Sequence, residues 1–322
     1  MADRCDYENV AGRFGWLTSP GHRVVISPDL DGVTAAMILN AAVGCTVEGI
    51  YTLNSLWANP DIAGEDPERD LVEWGGLFLD HDINRRGIHS IGHHLLKWSD
   101  DTPIPEHEQG TGSLNPNLLR RITFRNAIRR KYPFSTSVFL IAVFTALDRL
   151  SLDPTPEVET YLMHIDSSFV NAINYQENAL DWLEWLGGSG ERSPLFGLCR
   201  EILRLNPRRL LEAFRDLAAE FERVGLRPRR QNEIRNPNNE EDRGRLVAVV
   251  DWLTDKTGWT SPFGDLAFGD LRETPMVRQS TAPTRGRFEE VIRHRPFSYA
   301  ILGSGPQSLN YNWFEGNAPA GA

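Results

Sequence analysis

The chain has 322 residues, of which 40% are hydrophobic and 24% are charged, with three cysteines and a formal net charge of −10. It contains no apolar stretch of about 18 residues and no signal-like N-terminus, which excludes a membrane-spanning chain and leads us to expect a cytoplasmic protein without a membrane partner. The odd number of cysteines fits a reducing compartment, and the acidic balance argues against unselective binding of nucleic acid over the whole surface.

The length suits two domains. We predict a first domain over residues 1–190 and a second over residues 191–322. The most polar stretch, residues 227–245, is predicted to be a linker or an exposed loop. Apolar residues at helical spacing predict helices over about residues 195–225, before this stretch, and β-rich sequence follows it.

The first candidate site lies in residues 23–39, RVVISPDLDGVTAAMIL, at a predicted strand-to-helix junction. The β-branched run 24–26 predicts a buried strand, and the small and apolar residues after Gly32 predict a helix. Asp29 and Asp31 project from the same side of an extended segment, and they would repel one another unless a cation lay between them. A hard divalent metal ion suits that place. A turn with a capping aspartate is the alternative interpretation.

The second candidate site lies in residues 75–83, GGLFLDHDI, where a short apolar run predicts a strand that ends at Asp80. Five of the eight histidines fall between residues 81 and 107, and His93 and His94 are adjacent. Adjacent side chains point to opposite sides of an extended segment, so we expect one histidine to bind a metal ion and the other to face a substrate or a carboxylate. For this cluster a metal site is the preferred interpretation.

The third candidate is Asp166, which follows an apolar helical stretch at the start of residues 161–187. A metal ligand is one interpretation of this aspartate. The other is a cap of the following helix, an interaction worth about 1 kcal/mol.

The order of these motifs along the chain resembles that of the DHH phosphoesterase superfamily, which is named for its Asp-His-His motif and includes RecJ-type exonucleases and nanoRNases. The resemblance covers about residues 20–185. It implies an α/β fold with a mostly parallel sheet flanked by helices, followed by a smaller C-terminal α+β domain that binds substrate.

The resemblance also implies a role for each matching residue. The metal ligands would be Asp29, Asp31, Asp80, His93 and Asp166. Asp80 would bridge two metal ions, commonly Mn²⁺ and alternatively Mg²⁺, and His94 would contact the phosphate. Asp80, His93 and His94 would form the catalytic centre, where two metal ions activate water and stabilise the leaving oxygen.

Several further residues are candidates for substrate binding. Asn115 belongs to an Asn-Pro pair that often follows the Asp-His-His motif in the family. Arg121 and Arg125 are expected on one helix face, which either neutralises phosphates or is a solvated surface. A glycine turn could cradle a phosphate or be a plain hairpin loop, and it comprises Gly303, Ser304 and Gly305.

We therefore predict a metal-dependent phosphodiesterase that acts on an oligonucleotide, single-stranded DNA or a cyclic dinucleotide, and that could form a homo-oligomer. The alternative is a catalytically impaired protein of the same fold that binds a nucleotide, a nucleic acid or a protein partner as a regulatory subunit. Gly92 stands where the family has the first aspartate of Asp-His-His. Val25 and Ser27 stand where the family usually has a further ligand. One of the two metal ions could therefore be lost, or Asp82, His81 or His89 could be recruited as a substitute ligand.

Overall fold

The computed structural model describes residues 4–102, 112–187, 204, 207–228, 231–264, 271–303 and 307–319. The chain divides into two compact units, each made of segments that alternate along the sequence. The sheet unit comprises His22–Ser27, Val47–Lys131 and Asp265–Ala322, and the helical unit comprises Met1–Gly21, Pro28–Thr46 and Tyr132–Gly264. The boundary predicted between residues 190 and 191 lies outside the described residues and stays a prediction.

Nine strands of the described chain form one sheet, and they are β1 (His22–Ile26), β2 (Cys45–Tyr51), β3 (Ser55–Ala58), β4 (Leu77–Leu79), β5 (His89–Ile91), β6 (Ser113–Leu114), β7 (Arg272–Thr281), β8 (Ser298–Leu302) and β9 (Ser308–Phe314). Their order across the sheet is β6-β5-β4-β1-β2-β3-β7-β9-β8. The pairs β1–β4, β4–β5 and β5–β6 are parallel. The pairs β2–β3, β3–β7, β7–β9 and β8–β9 are antiparallel.

Twelve α-helices of the described chain are α1 (Tyr7–Arg13), α2 (Leu30–Val43), α3 (Pro67–Trp74), α4 (Pro116–Leu119), α5 (Phe124–Ala127), α6 (Thr136–Ala146), α7 (Pro156–His164), α8 (Ser168–Asn174), α9 (Gln176–Gly187), α10 (Pro207–Arg223), α11 (Glu240–Thr257) and α12 (Arg285–Arg293). Within the helical unit, α2 packs against α6, and both helices are buried along most of their length. None of the described helices is both long enough and apolar enough to cross a bilayer.

The predicted α/β fold is confirmed, as are the strands before Asp29 and Asp80, the helix after Gly32 and the helix before Asp166. The C-terminal strands β7, β8 and β9 extend the same sheet. The parallel strands β1 and β4 pair in the register Val25↔Phe78 and Ile26↔Leu79. Because parallel strands end at the same edge of a sheet, the residues that follow β1 and β4 lie side by side at their carboxyl ends, where α/β proteins place their sites.

The polar stretch 227–245 is not a loop throughout, and that prediction is wrong for its last residues. Helix α11 begins at Glu240 and is capped by Asn239, whose side chain accepts from two backbone N–H groups of the first turn. Arg245 is buried in an ion pair with Asp242. Charged residues therefore occur in a helix here because a cap and a buried ion pair satisfy them.

Aromatic rings form the centre of the sheet unit's apolar core. Phe78 is fully buried and makes edge-to-face contacts with Tyr51, at 5.9 Å between ring centroids, and with Phe297, at 5.9 Å. Helix α3 adds Leu71 to the same core. Such ring pairs contribute about 0.5–1.5 kcal/mol beyond the burial of their area.

Phe78→Ala should lower the free energy of unfolding by about 3–5 kcal/mol, because it removes a fully buried ring and leaves a cavity. Urea unfolding measures the change. Val72→Ala is the matched control, since Val72 is 37% exposed on α3 and its truncation should change stability by less than about 0.5 kcal/mol. A loss below about 1 kcal/mol for Phe78→Ala would contradict the described core.

Candidate metal site

Asp80 directly follows β4, at the edge where the parallel strands end. Its φ of 60° is a left-handed conformation that is uncommon for a residue with a side chain and costs about 1–3 kcal/mol. The Ser27 hydroxyl, at the end of β1, donates to Asp80 Oδ2 at 2.8 Å, and His93 Nδ1 lies 3.2 Å from Oδ1. The sheet unit therefore presents a buried carboxylate, each of whose oxygens faces a polar group.

Two opposing effects determine the charge of Asp80. Burial favours the neutral acid and so raises its pKa, but the hydrogen bond and charge of His93, with smaller contributions from His81 and His94, outweigh burial. Together they hold the pKa of Asp80 below its usual value. Asp80 is therefore ionised near neutral pH, as a metal ligand must be.

His81 lies beside Asp80 in the chain but faces a different environment. Its ring packs on Tyr51, with 4.6 Å between ring centroids, and burial lowers the pKa of His81 to about 4. A neutral imidazole packed in this way is part of the apolar core of the sheet unit.

The adjacent histidines His93 and His94 do not point to opposite sides, so that part of the prediction is wrong, whereas His94 does face a carboxylate, that of Asp82. Their rings stack, with centroids 4.4 Å apart and an interplanar angle of 24°. Strand β5 ends at Ile91, so the alternation of an extended strand no longer applies. Side-chain hydrogen bonds hold the segment instead: Asn117 donates to the His93 carbonyl at 2.7 Å, and Asn115 donates to the His94 carbonyl at 2.9 Å.

Asp82, which the sequence indicates only as a possible substitute ligand, lies at the centre of this hydrogen-bonded segment. It is buried, and its carboxylate accepts from Asn115 Nδ2 at 2.8 Å and from the His94 backbone N–H at 3.3 Å. His94 Nδ1 lies 3.4 Å from Asp82 Oδ2. The Asp-x-Asp spacing of residues 80 and 82, which repeats that of residues 29 and 31, is the sequence signal that could have indicated it.

In the helical unit, Asp29 is the N-cap of α2. Its Oδ1 accepts from the backbone N–H groups of Asp31, at 3.1 Å, and Gly32, at 3.3 Å. The capping interpretation of this motif is therefore realised, and the metal-binding role of Asp29 stays a prediction.

Asp31, in the first turn of α2, is fully buried against the start of α6. Its Oδ2 accepts from the Thr136 backbone N–H at 2.7 Å, and its Oδ1 accepts from the Ser137 backbone N–H at 2.8 Å and from the Ser137 hydroxyl. The positive end of the α6 dipole adds to the stabilisation of this charge.

Asp166 lies at a kink between α7 and α8. Asp166 and Ser167 both have left-handed conformations, with φ of 52° and 54°. The Asp166 backbone N–H donates to Gln231 Oε1 at 3.1 Å, and Gln231 Nε2 donates to the His164 carbonyl at 3.2 Å. Ser167, not Asp166, is the N-cap of α8, and no side-chain hydrogen bond caps that helix, so Asp166 is not a helix cap.

These residues supply ligand types suited to a divalent metal ion. Within the helical unit, ligand atoms of Asp31 and Asp166 lie within 4.8 Å of each other, and the same holds for Asp80 and His93 within the sheet unit. Each of these two pairs brings together side chains of the types that bind metal ions. Carboxylate oxygens suit Mg²⁺ and Mn²⁺, and an imidazole is a common additional ligand for transition metals.

The predicted substrate-binding residues have mixed outcomes. Arg121 and Arg125 do not share one helix face, and that prediction is wrong: α4 ends at Leu119, α5 begins at Phe124, and Arg121 between them has a left-handed φ of 54°. The Thr123 capping box starts the second helix and breaks the expected stripe.

The remaining two candidate regions keep their predicted roles as predictions. Asn115 caps α4, and its side chain is hydrogen-bonded within the protein through both its oxygen and its nitrogen. Gly303 directly follows β8, which pairs antiparallel with β9. Ser304 and Gly305 lie outside the described residues.

No family model matches the sequence, and a search of curated proteins found no match. Among solved structures, the chain is similar to RecJ from Thermus thermophilus, whose crystal structure is in complex with Mn²⁺. The similarity has 16% sequence identity and a TM-score of 0.30, and it covers 98% of this chain and 52% of that chain. The chain therefore spans about half the length of that structure, and a likeness of this size assigns no function.

Asp31→Ala should destabilise the metal-free protein by about 1–3 kcal/mol, because it leaves the buried N–H groups of Thr136 and Ser137 without their acceptor. Asp31→Asn retains one oxygen acceptor and should therefore lose less stability than Asp31→Ala. Thermal unfolding in the presence of a chelator compares the two variants with the wild type. Equal stability of all three proteins would contradict the described contact between Asp31 and α6.

Proposed function

We propose that this chain is a metal-dependent phosphodiesterase that hydrolyses a nucleotide-type phosphoester. In this proposal, Asp80 and His93 of the sheet unit are metal ligands, as are Asp31 and Asp166 of the helical unit, and Asp29 is a further ligand. The observation that carries the proposal is the contact between the Asp80 carboxylate and His93 at the end of β4, with the pKa of Asp80 held low. A buried, ionised carboxylate beside an imidazole is typical of metal sites.

The chain order supports the remaining ligands. Asp29 follows the last residue of β1 after only a short link, and β1 pairs in parallel with β4, which ends next to Asp80. Asp31 and Asp166 form a close pair of carboxylates within the helical unit. Two carboxylates so close together favour a cation or a shared proton.

The proposed chemistry divides between the metal ion and the protein. The contribution of a bound divalent ion is the activation of water and the polarisation of a phosphoryl oxygen. His94 has a side chain that is 33% exposed and held near Asp82, so it is available to contact a phosphate oxygen. Arg121 and Arg125 are exposed cations in the sheet unit, and their role here is to balance the charge of a phosphodiester.

A second candidate function is the binding of a nucleotide or nucleic acid without turnover. The Ser27 hydroxyl favours it, because this side chain stands where a further metal ligand is expected and instead donates to Asp80 Oδ2. An oxygen that accepts this hydrogen bond is a weaker partner for a second metal ion. A protein that retains one metal ion, or none, would bind its ligand and not hydrolyse it.

The test combines metal content with hydrolysis in one preparation. With Mn²⁺ and with Mg²⁺, the wild type should hydrolyse bis-p-nitrophenyl phosphate and at least one of a short DNA oligomer, a short RNA oligomer and a cyclic dinucleotide. Asp80→Ala should lose bound metal and more than about 100-fold in rate, since it removes a ligand and not merely a neighbour of one. Asp61→Ala, at an exposed aspartate of the sheet unit, is the matched control and should retain both the bound metal and the rate of hydrolysis.

Two results would contradict the enzyme proposal. One is a rate in the wild type that equals that of Asp80→Ala on every substrate. The other is hydrolysis that persists unchanged after removal of the metal ion with a chelator. In the first case, nucleotide binding by the wild type would favour the second candidate function.

A further inference from the structure

Gly92, immediately before the two histidines, has no room for a side chain. A Cβ atom built on Gly92 would lie 2.6 Å from Cγ, Oδ1 and Oδ2 of Asp82, which is closer than real Cβ contacts. The backbone of Gly92 is not in the left-handed region, so its conformation is open to other residues. The Asp82 carboxylate therefore already fills the space into which a side chain at position 92 would project.

The contacts of Asp82 converge on His94. The carboxylate accepts from the His94 backbone N–H, lies 3.4 Å from its Nδ1, and accepts from Asn115, which itself holds the His94 carbonyl. A buried carboxylate with these partners fixes both the backbone and the ring of one histidine.

We propose that Asp82 supplies, from a different segment, the carboxylate that an Asp-His-His sequence would carry at position 92, and that it is a positioning residue for His94. The inference rests on the proposed function, in which His94 contacts the phosphate. It explains how a Gly-His-His sequence keeps an acidic group beside its histidine pair.

An exchange of the two side chains tests this inference. Asp82→Ala should lower kcat/KM by about 10–100-fold through loss of His94 positioning. Gly92→Asp should also impair activity, because it forces two carboxylates into one space. The double variant Asp82→Ala/Gly92→Asp should recover at least about tenfold over either single variant, which is the sign of direct coupling between neighbouring residues.

A second readout separates this inference from the proposed function. In the metal-free proteins, ¹⁵N-histidine NMR should show changed chemical shifts of the His94 ring nitrogens in Asp82→Ala. In the double variant these shifts should largely return to those of the wild type. A wild type without hydrolysis but with this NMR pattern would reject the proposed function and keep the positioning role. The positioning role would be overturned by an unchanged His94 signal in Asp82→Ala. It would also be overturned by a folded double variant whose kcat/KM is no higher than that of the single variants.

A different observation concerns a cavity of about 390 Å³ within the helical unit, which falls in the size range of small-molecule sites. Ser167, the neighbour of Asp166 in the chain, and Gln231, which accepts from the Asp166 N–H, are part of its wall. Its apolar wall is made mainly of Phe169, Leu211, Phe214 and Phe221.

The rings of this cavity are only partly covered. Phe169 and Phe214 lie 4.3 Å apart between centroids at an angle of 44°, and both are half-buried, while Leu211 is 45% exposed. Arg215 adds an exposed cation to the same wall. Aromatic faces that remain open beside an arginine suit a planar ring attached to an anionic group.

We infer that this cavity takes the base of the nucleotide substrate, an inference that again rests on the proposed function. The probes are adenosine 5′-monophosphate and ribose 5-phosphate, titrated calorimetrically into the metal-free protein. The mononucleotide should bind at least about tenfold more tightly, and Phe214→Ala should remove most of that difference. Val247→Ala, at an apolar residue that is 53% exposed on α11, is the matched control and should retain the difference in affinity between the two probes.

The outcomes again distinguish this inference from the proposed function. Base-dependent binding without any hydrolysis would support base binding by the cavity and reject the proposed phosphodiesterase activity. Hydrolysis by a protein that binds the two probes equally, or whose preference survives in Phe214→Ala, would overturn the role of the cavity alone.

Discussion

A carboxylate that is removed from water stays ionised only if nearby groups replace the hydration that it has lost. At Asp80 these groups are the Ser27 hydroxyl and the His93 imidazole. The parallel pairing of β1, β4 and β5 brings both to the same edge of the sheet, since Ser27 follows β1 and His93 comes shortly after β5. The candidate site of the sheet unit thus depends on the register of three short strands.

The same principle applies to the other acidic side chains. Asp31 receives hydrogen bonds from the first turn of α6, and Asp82 receives them from Asn115 and His94. In each case the donors belong to a different part of the chain from the carboxylate. Carboxylates that are hydrogen-bonded in this way are fixed before any ligand binds. That preorganisation is what a metal site or a phosphate site requires.

Local backbone strain accompanies these contacts. Asp80, Asp166 and Ser167 have left-handed conformations although none of them is glycine. Hydrogen bonds to neighbouring segments hold these conformations, for example the bond between the Asp166 N–H and Gln231. Strain of this kind persists where surrounding structure enforces it, and it is concentrated at functional sites.

Local sequence determined the strands before Asp29 and Asp80, the helix after Gly32 and the choice of strand-terminal aspartates, because β-branched runs and capping residues act on their near neighbours in the chain. Only the tertiary structure decided the stacking of the two histidines, the break in the arginine stripe and the occupation of the space beside Gly92 by Asp82. These features depend on contacts between residues far apart in the sequence, and no local pattern of apolar and polar residues encodes which distant side chain fills a given space.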